Sequence, residues 1–182
     1  MKHTQYSICS LALALFAISV LNLTILTTSA QAAGGSKTGL PLPRFVSLKS
    51  SQVNMRVGPG KEFQVVWKYL KKGLPMEIIQ EFDNWRKVRD PQGNEGWILH
   101  SLLSGKRMII VSPWESDKIT GQAMMFAGAS ENSQAIAKVE PGVVGEVYGC
   151  ELEWCRLRMD DIDGYISKLS LWGVYPDELI EE

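Results

Sequence analysis

The segment Asn84-Trp85-Arg86-Lys87-Val88-Arg89-Asp90-Pro91-Gln92-Gly93-Asn94-Glu95-Gly96-Trp97-Ile98 decides the fold. Trp85 to Arg89 interleaves large and polar side chains, and Asp90-Pro91-Gln92-Gly93 is turn chemistry. Gly96-Trp97-Ile98 restarts an extended run, so the segment reads as strand, tight turn, strand. It returns in eroded form as Trp154-Cys155-Arg156-Leu157-Arg158, a polar turn ending in Gly164, and Tyr165-Ile166.

The flanking sequence extends both the strands and the repeat. Phe45–Leu48, Val53–Val57, Val65–Leu70 and Met76–Phe82 are short β-prone runs. Gly58-Pro59-Gly60, Lys71-Lys72-Gly73 and Asp83-Asn84 separate them as turns. Gly58, Gln64, Val66 and Lys68 recur 70 residues later as Gly128, Gln134, Ile136 and Lys138. Glu77 and Trp85 recur at an offset of 69 as Glu146 and Trp154, and Trp97-Ile98 at 68 as Tyr165-Ile166. Two single-residue deletions in turns explain that drift, because loops tolerate deletions and strands do not. With no long 3.6-residue periodicity, the expected fold is all-β, a small barrel or sandwich used twice in tandem. The expected units are 44–107 and 108–177, followed by an acidic tail, 178–182. Each is small for its own core, so contact between the units or a covalent staple should matter.

The N-terminus reads as an export signal. A short basic start precedes an apolar run from Ile8 to Leu26, and Ala30-Gln31-Ala32 supplies a small-x-small cleavage pattern. The expectation is a signal peptide over 1–32 and a periplasmic or otherwise exported protein. If the segment is retained, it is long enough to serve as an inner-membrane anchor. Residues 33–43, rich in Gly, Pro and Ser, are expected to form a flexible leader.

Charge is divided along the chain. Residues 44–107 carry 12 Lys+Arg against 6 Asp+Glu, and residues 108–182 carry 5 against 14. Such asymmetry serves solubility, draws an anionic partner to the first unit, or docks the units on each other.

Only Cys150 and Cys155 follow the signal segment, and an even pair at short spacing in an exported chain reads as a disulfide. A zinc site would need two more ligands, and His100 is the single histidine there, so no metal is expected. By the repeat offset, Cys150 and Cys155 align with Glu81 and Arg86. If Leu152-Glu153 and Asp83-Asn84 are two-residue loops, each pair faces across its hairpin, about 4.5–5.5 Å apart at Cα. One hairpin is then stapled covalently, and the other is clasped by an exposed ion pair worth well under ~1 kcal/mol.

Catalysis is not expected. Two mutually committed cysteines and one histidine do not assemble a nucleophile and base, and Gly58-Pro59-Gly60 lacks the residues of a phosphate loop. No cofactor is expected either. Trp67, Trp85 and Trp97 lie beside Arg56, Arg86, Lys87 and Arg89. At least one tryptophan per unit is expected in a core. Trp85 and Val88 differ in strand parity, so an inward Val88 turns Trp85 toward a rim or groove. Aromatics at a rim flanked by positive charge suit peptide or glycan ligands bearing carboxylates. An exported protein rarely meets nucleic acid, which is therefore not expected as a partner.

Val53-Asn54-Met55-Arg56-Val57-Gly58-Pro59-Gly60, then Trp85-x-x-Val88, then Gly93-x-x-Gly96-Trp97-Ile98 and Leu102 resemble the bacterial SH3-like (SH3b) family. The second unit resembles it more loosely. Its close, Leu171-Trp172-Gly173-Val174-Tyr175-Pro176, together with the Cys-x4-Cys hairpin, is similar to tandem SH3-like proteins exported by α-proteobacteria. The resemblance implies a small five- or six-stranded barrel per unit and a non-catalytic binding role, often toward cell-wall peptides. Candidate ligand residues are Asn54, Arg56, Trp85, Arg86 and Trp97. In the second unit Asn54 and Arg56 become Met124 and Phe126, which confines such a function to the first. Met125 and Phe126 are read either as part of an interface between units or as core. Two functional readings follow: a peptidoglycan- or peptide-binding module, and a protein–protein scaffold.

Overall fold

Alternating burial along short strands builds two β-sheets in the computed structural model of the protein, which describes residues 37–111 and 122–181. The signal-segment reading lies outside those residues. Among the described residues no helix is long and apolar enough to cross a membrane.

The first sheet comprises β1 (Arg44–Leu48), β2 (Val53–Arg56), β3 (Val65–Tyr69), β4 (Pro75–Phe82), β5 (Trp85–Arg89), β6 (Glu95–Leu99) and β7 (Leu103–Ser104). The second comprises β8 (Met108–Val111), β9 (Ala123–Phe126), β10 (Ala135–Val139), β11 (Val144–Glu151), β12 (Trp154–Met159), β13 (Ile162–Ser167) and β14 (Leu171–Trp172). Their orders, β3-β2-β6-β5-β4-β1-β7 and β10-β9-β13-β12-β11-β8-β14, are the same topology used twice. Even the irregularities repeat. The β4–β5 ladder slips between Ile78 and Gln80, and β11–β12 slips between Val147 and Gly149 at the matching positions. Gly96 and Gly164 occupy equivalent places where one strand presses on its neighbour. A Cβ on Gly96 would meet Met55 Cγ at 2.6 Å, and one on Gly164 would meet Met125 Cγ at 2.6 Å. That close approach is the physical reason for glycine before Trp97 and Tyr165.

Each barrel encloses its own core. Val53, Met55, Met76, Ile78, Val88 and Ile98 fill the first, and Ile109, Met125, Leu157 and Ile166 lie in the second. Met125 is thus core, while Phe126 packs on Trp154, so neither forms the contact between barrels. That contact is a third apolar cluster of Phe45, Ile110 and Trp172, with Tyr175 against Phe45. Polar links join it. Tyr175 donates its hydroxyl to Glu77 at 3.0 Å, and Lys106 pairs with Glu146 at 2.7 Å. Burial and the neighbouring Glu77 carboxylate together raise the Tyr175 phenol above its ordinary pKa.

The ends of the described chain hydrogen-bond to the barrels. Thr38 donates from its backbone N–H and hydroxyl to the Glu81 carboxylate. Ile180 exchanges two backbone hydrogen bonds with Cys150, at 2.9 and 3.0 Å. Arg107 binds Glu178 through both terminal nitrogens. Partial burial works to raise the Glu178 pKa, but these hydrogen bonds prevail and hold it below the usual carboxylate range.

The two central hairpins use different clasps. Cys150 and Cys155 face each other in register with Cα atoms 4.1 Å apart, closer than expected, and form a disulfide. Glu81 faces Arg86 in the same way, and Arg86 Nε lies 3.1 Å from Glu81 Oε1. The expectation of an exposed pair is corrected here. The Glu81 side chain is 0% exposed and also accepts from Arg44 Nη2 at 2.6 Å. Reducing the disulfide should lower the stability of the second barrel by about 2 kcal/mol, from the chain entropy returned to the unfolded state. Denaturant titration with and without reductant measures this, and coincident curves would contradict it.

Candidate functional site

Strand alternation places the groove. On β2, Val53 and Met55 point into the core while Asn54 is exposed and Arg56 half-buried. On β5, Arg86 and Val88 are buried while Trp85, Lys87 and Arg89 take the outer face. In the ladders Asn54 faces Lys68 and Trp85 faces Leu99. These strands, with Lys61 from the loop after Gly60 and Leu102 from the 3-10 turn His100–Leu102, line an open groove of about 310 Å³. Arg56 is steadied by donating Nη1 to the Phe63 carbonyl at 2.6 Å. Arg56, Lys61 and Lys68 make the lining cationic, and among the described residues it contains no carboxylate. Asn54 and Gln52 add neutral hydrogen-bonding groups, and Trp85 supplies an aromatic wall. Such a surface can hold an anionic, partly apolar ligand by charge-assisted hydrogen bonds and ring contact.

Of the five expected ligand residues, Asn54, Arg56 and Trp85 meet in this groove. Arg86 does not join them. It is 7% exposed on the core side, binds Glu81, and donates to the Asp83 and Trp85 carbonyls. The parity rule that turned Trp85 outward turns Arg86 inward. Trp97 lies on the outer face opposite Arg56 and Lys87, edge-on to Phe82 and outside the groove lining. The expectation of a core tryptophan also fails in the first barrel, where Trp85 and Trp97 are half-buried and Trp67 is 50% exposed. Lys61 and Lys68 were missed. Lys68 was within reach, because a hairpin through Gly58–Gly60 pairs it with Asn54.

The same place in the second barrel is lined by different residues. Phe126, at the position of Arg56, sits edge-on against Trp154, with ring centroids 5.6 Å apart. Glu131 stands where Lys61 is, and Met124 where Asn54 is. A different cleft of about 420 Å³ lies between Trp154, Arg156 and Tyr165 and the anchored chain end at Leu179–Glu181. It carries both signs of charge, since Glu151 and Glu181 also line it.

Among the described residues, no group of three or more His, Cys, Asp or Glu could hold a metal ion. The Cys150 and Cys155 sulfurs are joined, and His100 lies exposed in the 3-10 turn with its backbone N–H bonded to the Asn84 carbonyl.

Comparison with known proteins matches residues 49–105 and 120–173 to the family described as bacterial SH3 domain. The chain is 23% identical over 124 residues to YrvJ of Bacillus subtilis (strain 168), whose name proposes an N-acetylmuramoyl-L-alanine amidase. The match covers 66% of this chain and 24% of that protein, so the chain spans about a quarter of the relative's length. Among solved structures, it is similar to NlpC2 and NlpC1 from Trichomonas vaginalis, at 14% and 12% identity with TM-scores of 0.31 and 0.32. Those matches cover 71% and 76% of this chain and 48% of each structure.

Proposed function

The chain belongs to the bacterial SH3 domain family, in two tandem copies, and from that premise we propose that it is a non-catalytic, exported module whose first barrel binds cell-wall peptidoglycan through its peptides. The observation that carries this reading is the groove itself. It sets Trp85 beside Arg56, Lys61 and Lys68 with no carboxylate in its described lining, whereas the second barrel places Phe126 at the position of Arg56, edge-on to Trp154. Peptide carboxylates would pair with the cations, and the apolar parts of the ligand would rest on Trp85 and Leu99. The relative named for an amidase of a cell-wall bond supports the choice of ligand class. Export through the 1–32 segment is part of the same proposal, and membrane contact would enter only if that segment is retained.

The test is sedimentation of the mature protein with purified peptidoglycan at low salt, where groove charges are least screened. Retention should fall on the order of tenfold for Trp85→Ala and for Arg56→Ala with the fold intact. Phe126→Ala should leave it unchanged. Absence of retention by the unmodified protein would instead favour a scaffold. That second reading draws on the oppositely charged barrels, already joined by Tyr175–Glu77 and Lys106–Glu146.

A further inference from the structure

Strand β3 ends the first sheet and pairs only with β2 among the described residues, so its outer backbone edge is open. Val65, Val66 and Trp67 on this strand are 38%, 42% and 50% exposed, and Leu70 just beyond it is 67% exposed. Trp67 faces the buried Met55 across the ladder, yet half its surface stays in solvent. A solvated edge ordinarily sheds apolar bulk, and this one gathers it.

The second barrel is an internal control. Ala135, Ile136 and Ala137 stand at the positions of Val65, Val66 and Trp67, and Glu140 at that of Leu70. Strand β10 nevertheless pairs with β9 as β3 pairs with β2. Folding therefore requires neither the tryptophan nor the leucine. Charge diverges at the same place. Between positions 61 and 72 the sequence carries Lys61, Lys68, Lys71 and Lys72 with Glu62 as the single carboxylate, whereas the copy has Glu131, Lys138, Glu140 and Pro141 before Gly142, the equivalent of Gly73.

We propose that β3 is a docking edge for an extended, acidic segment of a partner protein. The segment adds as a further strand through main-chain hydrogen bonds, sets an apolar side chain on Trp67, and offers carboxylates to the flanking lysines. Charge complementarity selects this occupant. The surface is distinct from the groove proposed for wall peptides. Lys68 reaches both, so the test rests on Trp67, which does not line the groove.

The test titrates the mature protein with the acetylated, amidated hexapeptide Val-Glu-Val-Glu-Val-Glu and with its lysine counterpart, following the β3 backbone amides by NMR. The acidic peptide should bind saturably, and the basic one on the order of tenfold more weakly. The double variant V65A/W67A carries the side chains with which the second barrel already folds. It should weaken the acidic peptide on the order of tenfold while leaving retention on peptidoglycan unchanged. Absence of saturation, equal affinity for both peptides, or indifference to V65A/W67A would overturn the proposal. So would concentration-dependent dimerisation of the unmodified protein abolished by V65A/W67A, which would assign the edge to a second copy. Loss of peptidoglycan binding alone would leave it standing.

Discussion

Replacing Glu81 with alanine should lower stability by about 3–5 kcal/mol, the cost of breaking a buried ion pair by removing one partner. The loss is concentrated because the Glu81 carboxylate is a hub. Arg44, Arg86 and both donors of Thr38 converge on it, and its side chain is fully buried. Without it, the Arg86 side chain, 8% exposed, keeps its charge facing the neutral Asp83 and Trp85 carbonyls. Glu81→Gln retains the shape and part of the hydrogen bonding and should cost less. Chemical denaturation of the three proteins measures the difference. A loss below about 1 kcal/mol for Glu81→Ala would show that the site behaves as an exposed pair.

The second large effect is expected at Asp90, which is 2% exposed. Its carboxylate accepts from the Tyr69 hydroxyl at 2.9 Å, from the backbone N–H groups of Gln92 and Asn94, and from the Asn94 side chain. It thus fastens the turn between β5 and β6 to β3. Burial, and then the hydrogen bond to Asp90, raise the Tyr69 phenol above its ordinary pKa, so it stays a neutral donor. Asp90→Ala leaves these donors unpaired and should cost about 3 kcal/mol. Tyr69→Phe should cost less, because it removes donor and demand together. A double-mutant cycle with coupling near zero would contradict this role. The second barrel has Val139 and Met159 at these two positions, both buried. One barrel is held by polar clasps, and the other by apolar packing and a disulfide.

Local features were the legible part of the sequence. Turn residues and alternation located the hairpins, and the offset between repeats paired Cys150 with Cys155 and Glu81 with Arg86. Parity turned Trp85 outward, and the same arithmetic applied to Arg86 would have removed it from the ligand set. What escaped was non-local. Thr38 and Arg44 reach Glu81 from 43 and 37 residues away, and that convergence is what buries a pair that otherwise reads as solvated. Ile180 reaches Cys150 by a bridge that no local pattern announces. The groove was half legible for the same reason: Asn54, Arg56 and Trp85 follow from alternation, but Lys61 arrives on a loop.

The most direct measurement is NMR mapping of a soluble peptidoglycan stem peptide onto the mature protein at low salt. The account predicts saturable shifts at Asn54, Arg56 and the Trp85 indole, with the Phe126 and Trp154 signals unmoved. Shifts confined to the second barrel, or none at millimolar peptide, would contradict it.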